Sequence, residues 1–585
     1  MIKLLKRLGK KEWLLVLCST IFIIGQVYLD LKLPDYMTEI TTFLQQKGST
    51  IKDVLIPGSK MILCALGSLT SSFIVGYFAA TIASTLSKTI RKDVFQKVLD
   101  FGMEEINRFS TGSLITRTTN DITQIQTVIS IGLQLIIKAP ILAVWAIYKI
   151  AGKAWQWSLA TGIATLVLLT LITILVTLVM PKFKKIQSLT DNLNKITREN
   201  LTGIRVIRAF NAESYQENKF NEANNELTNT NLFTQRLMAS MSPIMNLVMS
   251  GLTLSIYFIG AYLIEAANLM DKINVFSNMV VFSAYAMQVV MAFMMLAMIF
   301  FIYPRASVSA KRILEVLNTN INIKNGKISK DITKETGTIE FVDVSFRYPD
   351  AEECMLENIS FKINKGEIVA FIGSTGSGKS TLINLIPRFY DVTSGTILVD
   401  GVDIREYNQE YLYSKLGYIP QKAVMFSGTV GYNISYGAKK NIQKNKIIES
   451  LKVAQGYDFV SKMPEKLKSH IAQGGTNISG GQKQRLAIAR AITKNPEIYI
   501  FDDSFSALDY KTDLSLRKEL KQYTKDATIL IVAQRIGTII NADKIVVLEN
   551  GKMVGLGKHK DLLKTCQVYK EIALSQLSKE ELENA

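Results

Sequence analysis

A glycine-rich octapeptide in the second half of the chain has the residue types and spacing that bind phosphate groups. It reads GSTGSGKS over residues 373–380 and fits the pattern G-x-x-x-x-G-K-[ST]. An apolar strand-like run precedes it, and a helical pattern follows it. In such a loop the backbone N–H groups surround the phosphate oxygens, the lysine reaches the β and γ oxygens, and the terminal serine can hold Mg²⁺. The sequence assigns phosphate binding to Gly373, Ser374, Thr375, Gly376, Ser377, Gly378, Lys379, Ser380 and Thr381.

Two more patterns in the same half of the chain extend this chemistry. A second apolar run, 498–501, ends at Asp502, and a carboxylate placed there beside a phosphate loop can hold the Mg²⁺ shell. Between the two runs lies NISGGQKQR, residues 477–485, in which Ser479 and two glycines open a helix and form another anion site. Because one domain needs a single γ-phosphate site, the second anion site predicts an interface shared by two such domains.

The chain that carries these motifs changes character near residue 305. The apolar runs of membrane length lie before that point, and after about residue 337 short strands alternate with helical stretches. We expect an α-helical transmembrane domain over 1–305, a polar linker over 306–336, an α/β P-loop nucleotide-binding domain over 337–578 and a tail over 579–585.

Six apolar segments are long enough to span a bilayer, which takes about 20 residues each. They are approximately 13–33, 60–86, 127–150, 156–180, 240–265 and 274–303. With the N-terminus inside, the inner connections carry twenty Lys and Arg residues and the outer connections carry six. This asymmetry predicts a multi-pass protein of the plasma (inner) membrane, with its N-terminus and its nucleotide-binding domain in the cytoplasm.

The composition argues against several other classes of protein. The net charge is +18, but no basic stripe with interleaved aromatic residues is present, so we expect no nucleic-acid partner. A membrane protein with cytoplasmic Lys and Arg accounts for the charge. The four cysteines are scattered without a metal-ligand spacing, which disfavours both disulfides and a zinc site.

The membrane half also contains two features that bear on mechanism. Its two long inner connections have helical periodicity and few breakers, which predicts membrane helices that continue as stalks into the cytoplasm. Eleven of the twenty methionines lie between Met238 and Met298. Such flexible side chains suit a surface that accepts varied apolar ligands, although ordinary helix packing or lipid contact is the simpler explanation. We expect no charged pocket in the apolar segments, and no acidic residue at mid-membrane depth.

Taken together, these motifs resemble the ATP-binding cassette (ABC) family, and the six-helix arrangement resembles its type IV exporter class. The resemblance covers residues from about 10 to 575. It implies that the cofactors are ATP and Mg²⁺, that Tyr348 stacks on adenine, and that Gln421 touches Mg²⁺ together with Ser380 and Asp502. It further implies short coupling helices near residues 109–113 and 212–217. The same resemblance assigns the signature motif and the loop that crosses the dimer interface to Ser479, Gly480, Gly481, Gln482 and Asp509.

Two positions depart from the family pattern, and both affect hydrolysis. Asp503 stands where the family has the glutamate that acts as general base, and its carboxylate lies about 1.5 Å further back. Gln534 stands where the family has its switch histidine, and an amide carries no charge and shuttles no proton. The chain has only two histidines, His470 and His559, and neither lies near this strand in the sequence.

These departures predict a site that binds MgATP and hydrolyses it slowly, and an intact signature motif that serves a partner. The combination resembles the degenerate subunit of bacterial heterodimeric multidrug ABC exporters. We therefore expect a heterodimer with a second ABC half-transporter that has the consensus Glu and His; the alternative is a homodimer in which Asp503 works through a repositioned water. The expected function is ATP-driven export of hydrophobic or amphipathic small molecules across the lipid bilayer. Export of lipid or peptide and a role as an ATP-binding regulatory subunit remain open.

Overall fold

The computed structural model describes residues 2–45, 48, 50–151, 153–268, 271–438 and 442–577. The chain forms two compact units, one made of Met1–Leu99 and Phe109–Thr319, the other of Asp100–Arg108 and Asn320–Ala585. The predicted tail, 579–585, lies outside the described residues.

Long helices dominate the first half of the chain. In chain order the helices are α1 (Ile2–Leu5), α2 (Lys10–Gln45), α3 (Ile51–Leu99), α4 (Met103–Phe109), α5 (Thr111–Thr118), α6 (Asn120–Ile150), α7 (Trp155–Thr202), α8 (Ile204–Ala209), α9 (Glu213–Ala266) and α10 (Lys272–Asn318). Six helical stretches of the described chain are long and apolar enough to cross a membrane, which confirms the predicted six spans. A helix of 49 residues such as α3 is about 73 Å long, more than twice the hydrocarbon thickness. It therefore continues well beyond the bilayer, as the stalk prediction requires.

The membrane helices pack in neighbouring pairs around one apolar core. Within this unit α2 lies against α3, α6 against α10, and α7 against α9. Phe282 of α10 is fully buried in the core, and its ring lies 5.4 Å from that of Trp157 on α7. The Trp157 indole N–H donates to the Ile256 carbonyl of α9 at 3.1 Å. These contacts join three of the spanning helices at one level.

The last membrane helix continues beyond its predicted end. α10 passes through Pro304 and ends at Asn318, so the first part of the predicted linker is helical. Ala306, Ala310, Ile313 and Val316 are all fully buried. Because this spacing follows one face of a helix, packing keeps the segment helical despite the hydrogen bond that the proline removes.

The short helices of the inner connections do not have the predicted bounds. Instead of one helix over 109–113, α4 ends at Phe109 and α5 begins at Thr111, because Ser110 adopts a left-handed backbone with φ 57°. Instead of a short helix over 212–217, α8 ends at Ala209, Asn211 is left-handed with φ 52°, and the long α9 begins at Glu213.

The expectation of apolar spans without a charged pocket is wrong. Lys138 of α6 forms an ion pair with Asp30 of α2 at 3.2 Å, and Ser68 of α3 donates to the same carboxylate.

The second half of the chain is built on two sheets. Its strands are β1 (Ile339–Phe346), β2 (Leu356–Ile363), β3 (Ile368–Gly373), β4 (Ser394–Val399), β5 (Val402–Asp403), β6 (Leu416–Ile419), β7 (Gly428–Thr429), β8 (His470–Ile471), β9 (Ile498–Asp502), β10 (Thr528–Val532), β11 (Lys544–Glu549) and β12 (Lys552–Gly557). The central sheet has the order β12-β11-β3-β10-β9-β6, and only β12 runs antiparallel to its neighbour. A separate antiparallel sheet has the order β2-β1-β4-β5, and β7 pairs with β8.

Helices cover the central sheet and complete the α/β domain. They are α11 (Lys379–Leu385), α12 (Gln409–Lys415), α13 (Val430–Ile434), α14 (Lys444–Val453), α15 (Tyr457–Ser461), α16 (Gly480–Lys494), α17 (Tyr510–Tyr523), α18 (Ile536–Ile539), α19 (His559–Thr565) and α20 (Gln567–Leu574), with 3₁₀ turns at Lys466–Lys468 and Gln473–Gly475. All five residues of β9 and all five of β10 are buried. The carboxyl ends of β3, β10 and β9 therefore meet at one rigid edge of the sheet.

Candidate functional site

The glycine-rich loop connects the end of β3 to the start of α11. A Cβ on Gly373 would lie 2.0 Å from the Leu548 carbonyl oxygen, so only glycine fits between the loop and β11. Gly378, directly before the helix, has φ +93°, and a Cβ there would lie 2.7 Å from Leu356. The loop backbone thus has the form that lets successive N–H groups face a phosphate at a helix N-terminus.

The Lys379 ammonium lies over this loop. Its Nζ donates to the carbonyl oxygens of Gly373 at 3.0 Å and Ser374 at 2.7 Å, and to Ser377 Oγ at 3.3 Å. Burial lowers the pKa of Lys379, and the carboxylates of Asp503 and Asp502 oppose that shift. The lysine is held in position to meet the β and γ oxygens of a nucleotide on the loop.

Ser380 and Asp502 form the predicted metal-binding pair. Asp502 ends β9, two strands away from β3, and its Oδ1 accepts a hydrogen bond from Ser380 Oγ at 2.8 Å. Burial raises the pKa of Asp502, and the bond from Ser380 opposes the shift. A hydroxyl and a carboxylate oxygen side by side fit Mg²⁺, a hard cation that prefers oxygen ligands. Ser380 and Asp502 would hold the ion, and Mg²⁺ bound there would supply positive charge next to the phosphate groups.

Tyr348 lies beside the loop helix, as its expected contact with the adenine base requires. Its hydroxyl shares a hydrogen bond of 3.0 Å with Thr381 Oγ1. Its ring meets those of Phe346 and Tyr390 edge to face, at 4.8 Å and 5.4 Å between centroids. These contacts fix an aromatic ring at the mouth of the phosphate loop.

The side-chain amides of Gln421 and Gln534 converge on a single carboxylate oxygen of Asp503. Asp503 Oδ2 accepts from Gln534 Nε2 at 2.8 Å and from Gln421 Nε2 at 3.2 Å. The Asp503 backbone is left-handed, with φ 47°, and its N–H donates to the Val532 carbonyl at 3.1 Å. Burial raises the pKa of Asp503, and the bond from Gln421 opposes the shift. The structure therefore joins Gln421 to Asp503 rather than directly to the Ser380–Asp502 pair.

Comparison with known families gives the same assignment over most of the chain. The family model described as "ABC transporter transmembrane region" matches residues 16–293, and the model described as "ABC transporter" matches residues 356–506. An uncharacterized ABC transporter ATP-binding protein of Mycobacterium tuberculosis is 37% identical, with 93% of each chain covered. The chain belongs to the ABC transporter family.

Other relatives and one solved structure extend this comparison. The ABC transporter chain is 30% identical to an ATP-dependent lipid A-core flippase of Haemophilus influenzae, over 87% of this chain and 86% of the relative. A bacterial Atm1-family ABC exporter with ATP bound superimposes with a TM-score of 0.81 at 23% identity, covering 96% of this chain and 99% of that one. The fold is therefore that of a type IV exporter with an ABC ATPase domain, and the protein is a multi-pass membrane protein.

The signature motif of this ABC transporter lies at the start of α16. Ser479 caps the helix by accepting from the Gln482 N–H at 3.3 Å, and the Gln482 side chain accepts from the Ser479 N–H at 2.9 Å. This capping box leaves the N–H groups of Gly480 and Gly481 at an open helix end. A Cβ on Gly481 would lie 3.2 Å from the Ala507 carbonyl oxygen, so the motif packs closely on the following loop.

The signature motif and the interface loop are separate from the phosphate loop. Asp509 caps α17 by accepting from the Thr512 N–H at 3.0 Å, and this bond lowers its pKa. Within the described ranges no hydrogen bond joins Ser479, Gln482 or Asp509 to the phosphate loop or to Asp502. This separation is what a composite site with a second cassette requires.

Sequence reasoning did not find the residue that positions Gln534. Gln576, just after α20, donates from Nε2 to the Gln534 carbonyl at 2.7 Å and accepts from the Ile536 N–H at 2.8 Å. No local pattern marks this glutamine, which lies 42 residues away in sequence. The two histidines lie elsewhere, His470 in β8 and His559 buried against the hydroxyl of Tyr569 at 2.7 Å.

Proposed function

We propose that this ABC transporter chain is one subunit of a heterodimeric exporter for hydrophobic or amphipathic compounds, including drugs, and that its own ATP site hydrolyses slowly. The observation that carries the proposal is the pair of amide donors on Asp503. Both Gln421 and Gln534 direct N–H groups at the one carboxylate oxygen. In this model of the exporter the N-terminus and the cassette lie on the cytoplasmic side of the plasma (inner) membrane.

The geometry around Asp503 disfavours general-base catalysis. A base must take a proton from the attacking water within about 2.6–3.2 Å, and its free lone pair must face that water. Oδ2 already accepts two N–H groups, which leaves Oδ1 alone to face the water, and an aspartate is one methylene shorter than the glutamate of the family. Gln534 cannot compensate, because a neutral amide neither carries positive charge nor relays a proton. ATP binding, in contrast, rests on the loop, Lys379 and the Ser380–Asp502 pair, which are intact.

The intact signature motif supports a heterodimer. Ser479 and the two glycines after it form an open helix start that, among the described residues, makes no hydrogen bond to this chain's phosphate loop. A partner cassette with the consensus Glu and His would therefore gain a complete site from this chain. Two copies of this chain would instead combine two slow sites.

Lipid export is a second candidate for the transported substrate. Several relatives at about 30% identity are lipid A-core flippases, covering more than four-fifths of this chain. An amphipathic lipid and an amphipathic drug demand the same apolar surface, and the methionines of α9 and α10 that pack in the membrane core, among them Met241, Met245, Met249 and Met294, suit either.

Native mass spectrometry tests the assembly. The complex is purified through a tag on this chain, expressed from its own locus. A 1:1 complex with a second ABC chain that carries Glu and His supports the proposal. A homodimer of this chain contradicts it, and Asp503 would then act as the base in both sites.

A further inference from the structure

Charged side chains face one another across α2 and α6 inside the membrane unit. Lys138 Nζ lies 3.2 Å from Asp30 Oδ2, and Lys149 Nζ lies 2.8 Å from Asp35 Oδ2. The two lysines are eleven residues apart on α6, which places them on one face of the helix. The two ion pairs therefore connect α2 to α6 along one face of α6.

The position of Lys138 within the apolar span of α6 places this lysine at hydrocarbon depth. Lys138 is twelve residues before the end of α6 at Ile150, a distance of about 18 Å along a helix, within a hydrocarbon layer of about 30 Å. Ionisable groups at that depth are rare, because the bilayer solvates them poorly, and those present mark substrate or ion pathways. The Lys138 side chain is only 19% exposed, so its ammonium does not lie free at the surface.

The carboxylate of this pair is satisfied, but the ammonium is not. Asp30 Oδ1 accepts from Ser68 Oγ, and Oδ2 accepts from Lys138. Lys138 has three N–H donors, and in the part of the chain that the structure describes Asp30 is its one hydrogen-bond partner. Two donors therefore remain for another acceptor.

The cluster also carries more positive than negative charge. Lys149 and Lys32 both approach Asp35, at 2.8 Å and 3.7 Å. Lys153 lies 5.9 Å from the centroid of the Tyr285 ring, whose hydroxyl donates to the same carboxylate. Across the two ion pairs four ammonium groups thus face two carboxylates, and the excess lies beside Asp35, about 16 Å along α6 from Lys138. This excess of positive charge favours an anionic ligand over a cationic one.

Apolar and aromatic surfaces border the ammonium. Trp145 lies seven residues after Lys138 on α6, which places both on one face of that helix, and its ring is 5.7 Å from that of Tyr28 on α2. Trp145 packs on the same apolar core as Met245 and Met294 of the methionine-rich helices. A ligand with its charge at Lys138 would therefore find apolar walls for its chain.

We propose that Lys138, held by Asp30, binds the acidic headgroup of an amphiphile within the membrane unit. The chemistry that fits is a phosphate, sulfate or carboxylate on an apolar chain, taken either from a lipid or from a soluble amphipathic compound. The inference rests on the proposed function, because it names the charge class of the amphipathic substrate.

Binding of dansyl-undecanoate, a fluorescent fatty acid, to the purified complex in phosphatidylcholine vesicles tests the inference without ATP. We expect Lys138→Gln to weaken binding of this anion at least about tenfold and Lys138→Arg to preserve it. Neither variant should change the binding of the neutral probe dansyl-undecanamide, measured by its displacement with dodecyl maltoside. Lys182→Gln, which removes a lysine on α7 that lies over the Phe233 ring, is the matched control and should bind both probes as wild type does.

The outcomes separate this inference from the exporter proposal. Equal loss of the anionic and the neutral probe in Lys138→Gln means that the ion pair only supports the helices, and the inference fails while the exporter proposal stands. Failure of the wild-type complex to prefer the anion also overturns it. Competition by phosphatidylglycerol in the vesicles identifies a lipid headgroup, whereas competition by dodecyl phosphate alone identifies a soluble amphiphile; either supports the site.

Discussion

The side-chain amide of Gln534 donates a hydrogen bond of 2.8 Å to the Asp503 carboxylate. The two positions predicted to depart from the family pattern are therefore in direct contact. Residues that share a hydrogen bond do not act independently when they are mutated. The departures are best treated as one altered pair, held in place by Gln421 on the same oxygen and by Gln576 on the Gln534 backbone.

Restoring both family residues should activate the site. We expect Asp503→Glu with Gln534→His to raise ATP turnover at this chain's site about tenfold or more, because general-base catalysis contributes about 10²–10⁴ in rate. The glutamate reaches further toward the water, and the histidine can carry charge. Each single variant should raise the logarithm of the ATP turnover rate by much less than half of the increase that the double variant gives. Single-turnover hydrolysis by the assembled complex measures the effect.

The control for this pair is Asp503→Asn, which retains an acceptor for both amides but removes the carboxylate. Its turnover should stay at or below that of the wild type. If the double variant hydrolyses ATP no faster than the wild type does, the slow-site argument fails. If Asp503→Asn alone abolishes a substantial wild-type rate, Asp503 is already the base.

The stability of the cassette should depend on pH through Asp503. Burial raises the pKa of this carboxyl above its ordinary value of 3.8, so the folded state binds the proton more tightly than the unfolded chain does. Its stabilising contribution is present in full below pH 3.8 and is lost as the pH rises through the folded pKa. Asp503→Asn should therefore gain thermal stability relative to wild type at neutral pH more than at acidic pH. Thermal unfolding of the two complexes at a series of pH values measures this difference, and parallel curves would rule it out.

A substitution of Lys379 tests whether this half of the chain binds nucleotide. Lys379→Ala should lower the affinity of this site for MgATP at least about tenfold, because it removes a charge-assisted contact to phosphate. Lys365→Ala, at an exposed turn before β3, is the matched control and should bind as wild type does. Photolabelling with an azido-ATP analogue reports binding at each chain separately.

The transport readout of the same variant separates an exporter subunit from a regulatory one. If this chain's ATP site belongs to the transport cycle, Lys379→Ala stops transport. If transport continues and only its regulation changes, the chain acts as a regulatory subunit.

Local patterns predicted the motifs, but not the contacts between them. The phosphate loop and Asp502 were readable because each depends on a few neighbouring residues, and six spans follow from runs of apolar residues. Gln421 and Gln534, in contrast, lie 82 and 31 residues from Asp503, and only the parallel order of β6, β9 and β10 brings them to one edge. Helix boundaries failed where a tertiary contact decided them, as at the buried face of α10 beyond Pro304.

The membrane charge cluster was missed for a related reason. Asp30 lies near the end of an apolar run, and Lys138 is 108 residues away on another helix. In the sequence each looks like an isolated charged residue within an apolar segment. Only the packing of α2 against α6 makes them a pair.

A buried lysine in the cassette, Lys415, stabilises the fold by pairing with three carboxylates. Lys415, at the end of α12, is 3% exposed and contacts Asp400 at 2.8 Å, Glu497 at 3.1 Å and Asp331 at 2.6 Å. Asp400 is as deeply buried, so Lys415→Met leaves its charge unpaired, which costs about 3–5 kcal/mol. Asp331→Asn removes a half-exposed partner and should cost at most about 1 kcal/mol.

Adding Asp400→Asn to Lys415→Met should recover most of the loss, because both charges are then gone. Thermal unfolding of the purified complex ranks the variants; a Lys415→Met complex as stable as Asp331→Asn would mean that water or another cation already compensates Asp400.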